Sequence, residues 1–247
     1  MIKPTKFHEG SVRKSKSCGD FKIIKYVSTR EIHIKFLDTG FETAVNCSTV
    51  SDGSVKDKLL PTVCGVGILG YGKHCGKGHS KEYTVWKSAL IRCYDKKYQN
   101  RNPKYVGCEV SCLFKRFDLF KEWYFRQVGH DQEGWHLDKD ILVKGNMVYS
   151  EDTCCFVPPE INYMFKSKRS DSNVLPRGIS IVRNKYVARY GSCEKRYIGT
   201  YETMDEAFYV YKQAKESHIK EVASKWKDQI DLRVYEALMK YEVNIDD

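Results

Sequence analysis

The chain has 247 residues, of which 41% are hydrophobic and 13% aromatic, with 42 Lys and Arg against 32 Asp and Glu. That is enough apolar material to bury a core, which excludes wholesale disorder, and no run of about 18 apolar residues exists that could span a membrane as a helix. The formal net charge of +10 favours a polyanionic partner.

Residues 1–17 are basic (Lys3, Lys6, Arg13, Lys14, Lys16) and lack periodicity, so they read as a flexible arm. No apolar stretch follows these charges, so the arm is not a secretory leader, and the ten cysteines are expected as thiols. Residues 18–64 read as a small β module. Phe21–Val27 is a predicted strand, and Ile32, Ile34 and Phe36 alternate onto one face of the next. Asp38-Thr39-Gly40 is a turn, Phe41–Val45 the return strand, and Asp52-Gly53 a further turn.

Residues 65–80 are glycine-rich and read as a linker. A Gly65-x-Gly67-x-x-Gly70 spacing lies inside. A dinucleotide site would need a helix opening at once behind the glycines, and none is predicted there. Helical spacing then places Trp86, Ala89, Leu90, Cys93 and Tyr94 on one face of a helix over 83–94. A second helix is expected over 113–127, with Phe117, Phe120, Trp123 and Tyr124 as a packing stripe. Short strand-like pieces fill 135–165, and 166–174 is a basic linker.

Three short strands are predicted over 176–201, with turns at Arg183-Asn184 and Gly191–Glu194. A helix follows from Thr203 to about Lys227, opened by a Thr203/Glu206 capping box. Ala207, Tyr211 and Ala214 would lay that helix on one face of the sheet. A last helix is expected over 231–241.

The segments Leu175-Pro-Arg-Gly-Ile, Lys185-Tyr-Val-Ala-Arg, Tyr197-Ile-Gly-Thr-Tyr and Glu206-Ala-Phe-Tyr-Val-Tyr resemble the Apetala2-type DNA-binding domain. That resemblance implies a three-stranded sheet on one helix, with the sheet reading the major groove of double-stranded DNA. Its DNA-binding candidates are Arg177, Arg183, Arg189, Lys195 and Tyr197. Two positions often Arg in that family are Ser180 and Gly191 here.

The central run His136-Leu-Asp-Lys-Asp-Ile-Leu, followed by Gly145-Asn146, Val148-Tyr-Ser, Cys154-Cys-Phe-Val-Pro and Ile161-Asn, resembles the degenerate HNH endonuclease domain of bacteriophages. By that resemblance the whole looks like a free-standing homing-type nuclease at work in the cytoplasm of an infected bacterial host cell. Asp138, Asp140 and Asn146 are the expected metal ligands, for Mg²⁺ or another hard divalent ion that keeps its waters. His136 and Lys139 are the catalytic candidates. Lys139 stands where the family places its histidine base, and His136 lies two residues upstream of Asp138, on the same face of a strand.

Structural zinc is not expected. Cys108-x-x-x-Cys112 has no matching close pair. Adjacent Cys154 and Cys155 point to opposite faces of a strand, and His74, Cys75 and His79 form a loose set in the glycine-rich stretch.

The expected fold is thus α+β and multi-module. It comprises the N-terminal antiparallel β module, a central helical plus HNH-like ββα domain over 81–165, and an Apetala2-like domain with a C-terminal helix over 175–247. The alternative function is a catalytically inactive relic that binds DNA or a protein, as a regulator or anti-defence factor.

Overall fold

A computed structural model of the chain describes residues 6–71, 80–165, 175–191 and 196–246. The chain divides into two compact units, Met1–Glu122 and Trp123–Asp247. Both mix helices with several small separate sheets, so the architecture is α+β and multi-module.

The N-terminal unit begins with β1 (Val12–Lys14), β2 (Asp20–Ser28), β3 (Glu31–Phe36) and β4 (Glu42–Val45), paired in that order as an antiparallel meander. Phe21 faces Phe36 and Ile23 faces Ile34 across the β2–β3 register. Alternation sends these residues and Ile32 to one face, where they are fully buried. The basic arm is not free from residue 6 onward. Phe7 is buried and β1 pairs with β2, because an apolar residue and a strand edge were available to tie it down. Residues Lys6–Ser17 therefore belong to the module.

A short helix, α1 (Cys47–Asp52), was not anticipated. The Asn46 side chain caps it by accepting from Thr49 N at 2.9 Å, and Gly53 ends it in the left-handed region.

At the glycine-rich stretch, β5 (Pro61–Val63) and β6 (Gly67–Ile68) pair as a hairpin. A Cβ on Gly67 would lie 2.5 Å from Leu90, and one on Gly70 would collide with the Asp118 carboxylate. Close packing thus accounts for Gly67 and Gly70, while Gly65, with nothing within 4 Å of a Cβ, is set by its positive φ of 74°. Residues 72–79, with His74, Cys75 and His79, lie outside the described residues.

Helix α2 (Lys81–Tyr94) buries Trp86, Ala89, Leu90 and Cys93, the predicted face. Trp86 Nε1 donates to the Phe114 carbonyl at 2.7 Å. Then come α3 (Lys96–Arg101), a 3-10 turn at Pro103–Tyr105 and β7 (Glu109–Val110). Helix α4 (Phe117–Tyr124), inside which the two units divide, is shorter than expected. Residues Ser111–Arg116 close as turns, with Lys115 N bonded to Ser111 O and Arg116 N to Leu113 O.

In the C-terminal unit, β8 (His136–Asp138) and β10 (Cys155–Val157) pair antiparallel, with β9 (Val148–Tyr149) in the connection between them and α5 (Pro159–Met164) directly after. Residues 166–174 lie outside the described residues. Next come β11 (Ile179–Val182), β12 (Lys185–Tyr190) and β13 (Arg196–Tyr201), one antiparallel sheet in that order. The β11–β12 turn has Arg183 and Asn184 both at positive φ, 51° and 61°, as a two-residue hairpin of matching twist requires.

Helix α6 (Met204–Trp226) starts at the expected capping box, with both reciprocal bonds present. Helix α7 (Leu232–Met239) follows. Helix α6 serves two cores. Ala207 and Tyr211 pack with Ile179 and Ala188 of the sheet. Ile219, Val222 and Ala223 pack with Val157 of β10, Ile161 of α5 and Val234 of α7.

Candidate functional site

The strand–strand–helix arrangement of β8, β10 and α5 brings three polar side chains together. Leu137 is buried in the middle of β8, so His136 and Asp138 emerge together on the opposite face, as the alternation predicts. That face meets α5. The His136 ring lies 5.9 Å from the Tyr163 ring, and Asn162 Nδ2 donates to Asp138 Oδ2 at 3.3 Å.

The other Asp138 oxygen accepts from the backbone N–H groups of Asp140 and Ile141, each at 2.9 Å. These two bonds turn the chain out of the strand. Burial first, and the Asp140 carboxylate second, push the Asp138 carboxyl up to about 6. The backbone N–H bonds pull the other way and do not offset burial.

Asn146 and Lys139 have a different task. Asn146 Nδ2 donates to the carbonyls of Lys139 (2.6 Å) and Val148 (2.7 Å), while its Oδ1 accepts from Val148 N at 3.1 Å. Every polar atom of that amide is used to close the loop after β8. In this arrangement the Asn146 amide, expected as a metal ligand, serves the loop. Lys139 is 7% exposed. Its ammonium donates to Asp140 Oδ2 at 3.2 Å and to the Asn146 carbonyl, and lies 5.9 Å from the Tyr149 ring centroid. It clamps the same loop from inside, which is the role its contacts give this catalytic candidate. Asp140 is exposed and turned to Lys139.

Asn162 was missed as a site residue. It lies 24 positions from Asp138, and only the β8–β10 register with the immediate turn into α5 brings the two together. The available signal was Ile161-Asn162, one residue beyond Pro158-Pro159.

Among the described residues, no three His, Cys, Asp or Glu side chains gather as metal ligands would. Asp138 and Asn162 form a smaller set of one carboxylate and one amide. That set fits a hard ion holding most of its waters, once the Asn162 amide turns its oxygen inward. Cys154 and Cys155 are both buried, and burial raises the Cys155 thiol well above its ordinary range. They pack as apolar side chains.

The second candidate surface is the face of β11–β13 opposite α6. Arg189 pairs with Tyr197 across the β12–β13 register, at a bulge. Both are exposed, Tyr197 to 61%, and the Tyr197 hydroxyl is bonded with Thr200 Oγ1 at 3.0 Å. Arg183 is exposed at the hairpin turn. Lys185 on the same strand is ion-paired with Glu202. Arg177 is half-buried, and its charge acts on Lys215 of α6, the helix that covers the other face. Lys195 lies outside the described residues. Among the described residues, the face is thus sparsely charged.

No described helix is long and apolar enough to cross a membrane. Comparison with known proteins gives nothing to add to this geometry: no family model, no curated protein and no solved structure matches the chain.

Proposed function

We propose that the protein binds double-stranded DNA through the β11–β13 sheet and cuts it, with a divalent metal, at the site built by β8 and α5. The observation that carries the reading is the meeting of Asp138 with Asn162, beside His136, on one strand–strand–helix unit.

Asp138 and Asn162 would hold the metal. When bound, such an ion polarises a phosphate oxygen and lowers the pKa of a water. His136 lies on the Asp138 face and would take the proton of the attacking water, the role an imidazole commonly fills. The Lys139–Asn146 clamp holds the loop that Asp138 opens. Arg189, with its planar fork of donors, reads a base edge in the major groove, and Tyr197 reaches the backbone. The setting is the cytoplasm of an infected bacterial cell, as the phage resemblance implies.

The test is plasmid nicking with Mg²⁺ or Mn²⁺. The wild type nicks, while Asp138→Ala, Asn162→Ala and His136→Ala each lose at least a hundredfold in rate. A wild type that cuts no DNA, its own genomic context included, removes the nuclease reading.

One observation favours a second reading, in which the chain binds DNA without cutting it. The residue in the usual place of the histidine base is a lysine locked into the loop. That reading predicts DNA affinity unchanged by Asp138→Ala and no metal-dependent product.

A further inference from the structure

The positive charge is unevenly divided. Residues 1–122 hold 23 Lys and Arg against 12 Asp and Glu, a formal +11, while residues 123–247 hold 19 against 20, a formal −1. The whole cationic excess therefore lies in the unit that contains neither candidate site. Affinity for a phosphate backbone comes from such an excess.

Within that unit, charge is balanced in some places and not in others. On the β1–β4 sheet, cations alternate with Asp20, Glu31 and Glu42, and Lys35 is ion-paired with Glu42 at 3.0 Å. From Lys87 to Lys104 there are six cations, Lys87, Arg92, Lys96, Lys97, Arg101 and Lys104, and one acid, Asp95. Asp95 is committed as the N-cap of α3, accepting from Tyr98 N at 2.8 Å. Lys96, Lys97, Arg101 and Lys104 are exposed, and the described residues give none of the four an acidic partner.

The surface is also stiff. Gln99 Nε2 reaches the carbonyls of Arg92, Cys93 and Tyr105, and Asn102 Nδ2 that of Tyr98. These bonds stitch α2, α3 and the 3-10 turn into one block, with the Tyr98 and Tyr105 rings paired at 5.8 Å. Arg92, Lys97, Tyr98 and Arg101, with the capping Asp95, line an open pocket of about 450 Å³ on it. Lys97 and Arg101 are four residues apart on α3, a like-charge spacing that destabilises a helix. An anionic partner relieves that repulsion, and a rigid block loses little freedom in binding one.

We propose that the α2–α3 block of the N-terminal unit is a docking surface for the phosphate backbone of duplex DNA, supplying most of the non-specific affinity. The choice of duplex DNA over other polyanions rests on the sheet-reading function proposed above; the charge, stiffness and pocket do not.

The experiment measures affinity of the full chain for a random-sequence duplex between 50 and 300 mM salt. The variant carries Lys96→Gln, Lys97→Gln, Arg101→Gln and Lys104→Gln. A control removes the same kind of charge from the sheet, with Lys22→Gln, Lys25→Gln, Arg30→Gln and Lys35→Gln. Each phosphate contact contributes about 0.9 to the slope of log affinity against log salt. The α2–α3 variant is expected to lose about 2–4 from the slope and at least thirtyfold in affinity at 100 mM salt, with the control near wild type. Circular dichroism checks that both variants fold. An unchanged slope in the first variant overturns the proposal, and so does an equal loss in both. Tighter binding of the wild type to phosphatidylserine vesicles than to duplex also overturns it. Arg189→Ala keeps the two proposals apart, because it should weaken discrimination between sequences and leave the non-specific slope intact.

Discussion

Lys215 sits near the middle of α6 with 7% of its surface exposed, and its ammonium donates to the Met164 carbonyl at 2.9 Å. Burial first, and the Arg177 charge second, bring it down from near 10.5 to about 8. The unfolded chain therefore holds a proton between pH 8 and 10.5 that the folded chain has released. Stability should rise with pH across that window, and the full penalty, about 3 kcal/mol, applies below pH 8. Lys215→Met keeps the length and removes the titration. Urea unfolding at pH 7.5 and 10 should show the wild type gaining stability relative to Lys215→Met at the higher pH; parallel behaviour would disprove the assignment. Gly178 is constrained for a different reason. Its φ is +80°, and a Cβ there would lie 2.2 Å from the Tyr211 ring and 2.7 Å from the Arg189 carbonyl. Gly178→Ala should cost about 2–3 kcal/mol. Gly134→Ala, at φ +75° with nothing near, should cost about 1 kcal/mol. Thermal unfolding of the two variants measures the difference, which is the part due to packing.

At the scale of the element, the capping box of α6 is a separable contribution. Thr203 Oγ1 accepts from Glu206 N and Glu206 Oε2 from Thr203 N, both at 3.3 Å. Thr203→Ala should lower stability by about 1 kcal/mol, and Thr203→Ser should restore most of it. This box was legible in the sequence, as were the alternation of β2 and β3, the apolar face of α2 and the three strands before α6. Each depends on residues within a turn or two of one another. What escaped depends on longer closure or on shorter runs. The six residues of α1 have no period to read, and its cap is a single Asn46. The expected helix over 113–127 shrank to α4 because Ser111 and Leu113 carbonyls capture the turns ahead of it. In the site, the shared face of His136 and Asp138 follows from period two alone. Asn162 does not, since its place is set by strand register. Asn146 was read as a ligand because an amide in a turn offers the same oxygen to a metal or to a backbone N–H. Only the loop geometry distinguishes the two uses. Asn146→Ala should loosen residues 139–148, seen as faster amide exchange there, while Asn162→Ala should leave that exchange unchanged.

On the scale of the whole molecule, a net charge of +10 conceals +11 on one unit and −1 on the other. The sum could be read from composition, but its division needed the boundary between units. If both proposals hold, a protein built this way separates holding from reading, and high salt should abolish the first before the second. Helix α6 adds a restriction of another kind. Its first turns belong to the core of the β11–β13 sheet and its last turns to the core of the β8–α5 site. Between Tyr211 in the first core and Ile219 in the second lie eight helical steps of about 1.5 Å, roughly 12 Å. In the proposed reading the two sites, joined through this helix, are the jaws of a caliper. Under the proposed function the break falls at a constant distance from the sequence that is read. One residue inserted between Tyr211 and Ile219 turns one jaw by about 100° against the other, so the break should move or vanish while the DNA is still held.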